Sequence, residues 1–356
     1  MEDKEANSSS ANQQPSPNLQ LPRSYKSWLR MVTYVFFLVA GQSTATLVGR
    51  LYFDQGGQSK WIGSLVQIAG FPILLPIYFA ISWSSKSPTS QYNSPKRHST
   101  SLVLLAMVYV ILGVLISASC FLSSYGYSYL PVSTFSIICA SQLGFTAFFS
   151  FFLNSQKFTP FIINSLVLLI ISSVLLAFQP NSTHLTGVSK GKYAIGFVCT
   201  LCGSAVTGLT LSLSQFFFRK VIRNETFKAV LDMITFESIV ATCVTLIGLF
   251  ASGEWKGLSR EMEGFGLGKV SYMMTLLWAA IAWQLYAIGS VGLIFEVTSL
   301  FCNVISALVL PIVQVLAVII FHDNMDGTKV MAVILAFWGS SSYIYQHYLD
   351  DHKVQE

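Results

Sequence analysis

The sequence predicts an all-α membrane protein, ten transmembrane helices arranged as two inverted five-helix repeats. Three observations predict it. Hydrophobic residues make up 53% of the 356 and charged residues only 10%, with a mean hydropathy of +0.59. Soluble domains carry about 25% charged residues, so a water-soluble globule is excluded. Roughly ten apolar segments follow one another between Trp28 and Leu349, and a run of ~20 apolar residues spans a bilayer. None of them has a Lys or Arg near its middle, as expected where a buried charge is costly.

The elements follow in order. Residues 1–27 are polar, with Ser8-Ser9-Ser10, Gln13-Gln14 and Pro15-Ser16-Pro17. Such a composition buries too little apolar surface to fold and lacks a signal-peptide pattern, so it reads as a disordered cytosolic tail. Spans are expected near 30–49, 61–83, 101–122, 127–152 and 160–178, which form a first repeat over 28–178. An outer linker at 179–192 leads to spans near 193–217, 228–251, 270–294, 298–321 and 327–348, a second repeat over 193–349. Residues 350–356 form a second cytosolic tail. Pro72, Pro76, Pro131 and Pro311 are expected to bend or start their helices. The stretch from Glu254 to Lys269 is polar with scattered Trp255, Leu258 and Met262, and reads as an outer loop with a short interfacial helix.

Orientation comes from the charges. With the N-terminus in the cytosol, thirteen of the 21 Lys and Arg fall on the inner side and eight on the outer, so the positive-inside bias puts both termini in the cytosol. Five spans per half is an odd number, so the second half enters the membrane from the opposite face. Inverted repeats of this kind place a solute site near the midplane between them. Phe152–Ser173 also matches Phe321–Ser342 in hydropathy, each an apolar end, a polar turn and a new span. Asn181-Ser182-Thr183 is a glycosylation sequon on the outer side.

The polar residues within the spans carry the functional reading. Gln42, Gln67, Gln142, Gln215, Gln284 and Gln314 are amides, Ser133 is a hydroxyl near the start of the fourth span, and Trp283 precedes Gln284 directly. A planar heterocycle needs an aromatic face to stack on and groups that both donate and accept hydrogen bonds, and glutamine does both. Gln142, Trp283, Gln284, Gln67, Ser133 and Gln215 are therefore the candidate substrate contacts. Each amide could instead tie helices together. Phosphate or sugar-nucleotide substrates would call for buried Arg or Lys, which the spans lack. Three carboxylates lie in or beside the spans: Glu237 deepest, Asp232 about 140° around the same helix, and Glu296 at the bend between the eighth and ninth spans. They are the candidates for proton coupling, Glu237 first. Asp232 could equally pair with Lys228, and Glu296 could cap a helix.

Other classes fit poorly. The net charge of +5 is spread over loops, so the concentrated basic face of a nucleic-acid binder is missing. Cys199 and Cys202 form a single C-x-x-C with neither a second pair nor a nearby His, so no metal and no cofactor is expected. A membrane-embedded enzyme would need paired carboxylates or a His with an acid partner, and His322-Asp323 and Asp350-Asp351 are poor candidates. The chemistry fits transport of a neutral or weakly charged polar solute. The expected partners are a heterocyclic small molecule, protons and the lipid bilayer, with no nucleic acid; the oligomeric state is left open.

Longer runs sharpen this. Leu51-Tyr52-Phe53 with Gly56-Gly57 and Trp61, followed by Ala69-Gly70-Phe71-Pro72, resembles the first two spans of the plant purine permeases. Tyr129-Leu130-Pro131-Val132-Ser133-Thr134, Gln142-Leu143 and Gln156-Lys157-Phe158-Thr159-Pro160 with Asn164 resemble that family's central signature. Trp283-Gln284 and the stretch from Phe321-His322-Asp323 to Trp338-Gly339 continue the likeness. Gln314, Asn324 and Glu237 depart from the family's usual residues. The resemblance, over about residues 28–348, implies the ten-span fold of the drug/metabolite transporter superfamily. It also implies proton-coupled uptake of adenine, cytokinins and related heterocycles. Transport by alternating access is expected, in the plasma membrane or, as the alternative, an internal membrane. A permease for alkaloids or vitamin-like heterocycles would use the same stacking and amide chemistry.

Overall fold

The computed structural model describes residues 25–57, 59–76, 78, 102–130, 132–177, 190–222, 227–321 and 327–353. Among these residues the regular secondary structure is all helical. The helices are α1 (Tyr25–Asp54), α2 (Lys60–Ile68), α3 (Leu102–Tyr129), α4 (Val132–Asn154), α5 (Pro160–Ala177), α6 (Lys190–Phe217), α7 (Phe227–Ser252), α8 (Leu258–Gly264), α9 (Lys269–Glu296), α10 (Ser299–Phe321) and α11 (Gly327–Lys353). By length and composition, five described spans are apolar and long enough to cross a membrane: Ser27–Gly49, Leu102–Gly126, Gly191–Ile222, Lys228–Ser252 and Lys269–Glu296. The expected N-terminal tail up to residue 24, most of the outer linker with Asn181, and the turn at 322–326 lie outside the described residues.

Proline and serine decide where the helices stop. The third span is expected to end near residue 122 and the fourth to begin near 127, yet α3 continues to Tyr129. Ser124 bonds back to the carbonyl of Cys120 at 2.9 Å, which absorbs its hydroxyl without leaving the helix. The break falls instead beside Pro131, which lacks an N–H and disfavours helix in the residue before it. Span two breaks after Ile68 into a 3-10 turn at Phe71–Leu74, with Pro72 in its first turn. Pro311 is accommodated inside α10. At the far end α11 runs on to Lys353, past the expected limit of the last span.

The bundle is apolar outside, and small polar side chains are buried within a largely apolar core. Leu102, Val103, Phe152, Val270, Trp278 and Trp338 face outward, while Ser64, Thr146, Ser165, Ser212, Ser299 and Gln215 are fully buried. An apolar exterior, with buried hydroxyls and amides joining the helices, is what a lipid solvent selects. Hydroxyls join the helices: Ser117 meets Thr245 at 2.9 Å between α3 and α7, and Ser165 and Ser172 each donate at 2.6 Å to α11 carbonyls from α5.

α1 runs against α9, with α10 beside it, and α3 and α4 both run along α6. α5 packs on α11 and α4, α10 on α11 and α4, α2 on α3, α7 and α9, and α7 on α3 and α9. The α1–α9 seam is closest: a Cβ added at Gly41 would sit 2.4 Å from the Tyr286 nitrogen, and one at Gly289 2.4 Å from the Leu38 nitrogen. Only glycine lets two backbones approach so far.

Both ends of this seam are tied by charge. At one end Arg30 Nε donates to Glu296 at 2.6 Å, and Ser27 Oγ donates to the same carboxylate at 3.0 Å. At the other, Glu261 on α8 accepts from the Tyr52 hydroxyl, from Tyr272 at 3.3 Å and from the Ser59 N–H at 3.1 Å. Burial, then the bond to Glu261, pushes the Tyr52 phenol above its ordinary pKa. Glu254 adds a bond from Ser59 Oγ at 2.9 Å. The short helix expected between spans seven and eight is thus a strap across the α1–α2 junction.

Candidate functional site

The site grows from two polar stripes on α4 and α10. On α4, Gln142, Thr146, Ser150 and Asn154 recur every fourth residue and share one face; on α10, Ser299, Asn303 and Ser306 do the same at spacings of four and three. The stripes interlock. Thr146 Oγ1 donates to the Gln142 carbonyl at 2.9 Å, and Asn303 Nδ2 donates to Thr146 Oγ1 at 2.8 Å. Gln142 Nε2 donates to Asn303 Oδ1 at 3.1 Å. Toward the end of α4, Ser150 Oγ lies 3.0 Å from Ser299 Oγ and 3.1 Å from Ser212 Oγ of α6.

α1 and α9 complete the cluster. Ser306 Oγ donates to Gln42 Oε1 at 2.8 Å, and Gln42 Nε2 donates to the Ser306 carbonyl at 3.4 Å. On α9 the Tyr286 phenol lies against the hydroxyls of Ser290 and Ser306. Trp283 meets Tyr286 edge to face, with ring centroids 5.5 Å apart. Three amides and an aromatic pair from α1, α4, α9 and α10 therefore share one polar region inside an apolar shell. Gln42, Gln142 and Trp283 are half-buried. Such a region can stack a planar ring and pair its donors and acceptors.

The other candidate residues lie elsewhere. Gln284 is buried on the adjacent face of α9, its Oε1 close to Gly70 after α2, and its Nε2 has no partner among the described residues. Gln67 is half-buried and spends its Nε2 on the Gly63 carbonyl of its own helix, at 3.0 Å. Gln215 caps α10: its Oε1 accepts from the Ser299 N–H at 2.9 Å and hydroxyl at 2.6 Å. Ser133 is in the first turn of α4, and its side chain lies outside the described residues, as does that of Gln314.

The carboxylates separate into two places. Glu237 is buried in α7, with Oε2 unpartnered among the described residues. The Tyr78 phenol meets the Asp232 carboxyl, and Tyr109 of α3 lies near both Asp232 and Glu237. Glu296 is the partner of Arg30 at the end of the α1–α9 seam. Among the described residues no three His, Cys, Asp or Glu side chains group as a metal site.

Reading the sequence alone missed Asn303, Ser306, Tyr286 and Thr146. Asn303 had a signal of its own, a lone carboxamide in the apolar run Phe301-Cys302-Asn303-Val304-Ile305.

A helical bundle sheathed in apolar side chains around an amide-and-aromatic interior has the build of a multi-pass membrane transporter. The family model for purine nucleobase transmembrane transport matches residues 29–353, and the chain belongs to that family. It is an integral membrane protein and not an enzyme. Among its relatives in Arabidopsis thaliana, Purine permease 21 is 56% identical over 94% of this chain and 84% of its own length. Probable purine permease 10 is 55% identical over the same shares, and Probable purine permease 8 is 53% identical over 96% and 86%. A solved crystal structure of a protein 14% identical covers 88% of this chain and 97% of its own, with a TM-score of 0.55, a likeness of fold alone.

Proposed function

We propose that this chain is a proton-coupled symporter that imports purine-like heterocycles, adenine and cytokinins among them, by alternating access. The observation that carries the reading is the joining of Gln42, Gln142 and Asn303 with Trp283 and Tyr286 in one polar region of an otherwise apolar bundle. Glu237 is the proton carrier, since it is buried and has an oxygen free of any partner among the described residues. Gln284, with a free buried amide nitrogen, is a second substrate contact on the α2 side.

Two inverted five-helix repeats supply the moving parts. Exchanging α1 with α6, α2 with α7, α3 with α9, α4 with α10 and α5 with α11 turns the pair α1–α9 into α6–α3, α4–α6 into α10–α1 and α3–α7 into α9–α2, all of them packed pairs. The pairs α2–α3 and α7–α9 likewise exchange, and α5–α11 maps onto itself. A twofold relation of this kind is what lets one half rock against the other around a fixed site.

The test is uptake of radiolabelled adenine and trans-zeatin by transport-deficient yeast expressing the chain, with unlabelled competitors and a protonophore. Both should accumulate, compete with each other and collapse with the protonophore. Uptake of an alkaloid or vitamin-like heterocycle with neither base competing would overturn the purine reading. Accumulation that survives the protonophore would overturn the coupling.

A further inference from the structure

The hydrogen bonds between α4 and α10 have a direction that is forced. The hydroxyl proton of Thr146 is spent on the Gln142 carbonyl at 2.9 Å. Toward Asn303 the Thr146 oxygen is then an acceptor, so Asn303 must present its amide nitrogen there, as it does at 2.8 Å. The same nitrogen reaches the Gln142 carbonyl at 3.4 Å, which accepts only. Asn303 Oδ1 is left on the opposite side and takes the Gln142 Nε2 at 3.1 Å. The relay ends with Gln142 Oε1, which has no partner among the described residues although the side chain is only half-buried. A backbone carbonyl of α4 thus dictates, through Thr146 and Asn303, which atom of Gln142 is offered to a ligand.

We propose that Asn303 is the residue that positions Gln142 and thereby sets substrate preference: it fixes the glutamine as a hydrogen-bond acceptor, so that the site favours a 6-aminopurine over a 6-oxopurine. The proposal rests on the purine reading above and goes beyond it by assigning selectivity to a residue that need not touch the substrate. A 6-amino group donates to a fixed acceptor, whereas a 6-oxo group sets oxygen against oxygen and leaves both unpaired. Without Asn303 the Gln142 amide can turn over and serve either base.

The experiment is inhibition of labelled adenine uptake by unlabelled adenine and by unlabelled hypoxanthine, in yeast expressing the full chain with surface level monitored by a tag. In the parent, adenine should be the stronger competitor. Asn303→Ser and Asn303→Ala supply no fixed direction, and each should shrink the adenine preference by about tenfold, roughly the weight of one unpaired buried group. Asn303→Asp still accepts from Gln142 Nε2 and should keep the parent's preference. A purely structural role would lower uptake of every base together and leave the ratio where it was. If Ser and Ala variants at the surface retain the parent's ratio, or the parent imports adenine with no preference over hypoxanthine, the positioning role is wrong and the purine reading stands. If the parent reaches the surface and neither base enters or competes, both fall.

Discussion

Glu237 and Asp232 sit five residues apart on α7 in unlike surroundings, and this separates their expected behaviour. The Asp232 carboxyl meets the Tyr78 phenol, while Glu237 is buried with Oε2 unpartnered among the described residues. A carboxylate without fixed partners can gain and lose a proton without first breaking a bond, which is why the proposed coupling is assigned to Glu237. In Glu237→Gln the group keeps its size and polarity and cannot titrate. That variant should still exchange substrate across the membrane and should lose accumulation driven by an acidic exterior, with Asp232→Asn milder. Vesicle uptake with and without an imposed pH gradient checks this. If Asp232→Asn loses accumulation and Glu237→Gln keeps it, the roles are reversed. The glutamines were legible in the sequence as the wrong kind of residue for a lipid-facing helix, but their separate duties were not. Whether an amide caps a helix, as Gln215 does, or pairs across one, as Gln142 does, depends on which helix lies opposite, and spacing along one chain holds no such information.

The spans expected at 160–178, 193–217, 228–251, 270–294 and 298–321 match helices closely, whereas span two, expected over 61–83, breaks after Ile68. Residues 123–126, expected as the link between spans three and four, proved to be helix, and the Ser124 hydroxyl turns back on the Cys120 carbonyl. The α1–α9 contact was not visible in advance either, since glycines in an apolar run mark close approach without naming the partner. It is nevertheless the contact most sensitive to substitution. Gly289→Val would place new carbons within 2.4 Å of the α1 backbone at Leu38, and neither helix can yield without opening the other's packing. Overpacking of this kind costs about 1–3 kcal/mol, and the detergent-solubilised protein should unfold at clearly lower temperature by intrinsic fluorescence. Gly49→Val on α1, where an added Cβ meets nothing within 4 Å, serves as the control. Equal melting of the two variants would show that the helices are held apart by other means.

Across the whole molecule, the two ends of the α1–α9 seam must lie on opposite sides of the membrane. Arg30 and Glu296 close one end, near the start of α1; Tyr52, Tyr272 and Glu261 close the other. The expected charge bias, thirteen Lys and Arg on the first side against eight on the second, predicts a cytosolic Arg30 end. If α2 with its following turn crosses as one span and α8 does not cross, the chain passes the membrane an even number of times, and the last residues of α11 return to the side on which α1 began. An even total is also what two inverted halves of five require, because each half alone ends on the side opposite its start. Tags fused at Met1 and Glu356 therefore report on the repeat itself and not merely on orientation. Both should resist protease added to intact cells and be cleaved once the membrane is permeabilised. One tag cleaved outside and the other protected would mean an odd number of crossings, and no five-plus-five arrangement could then hold.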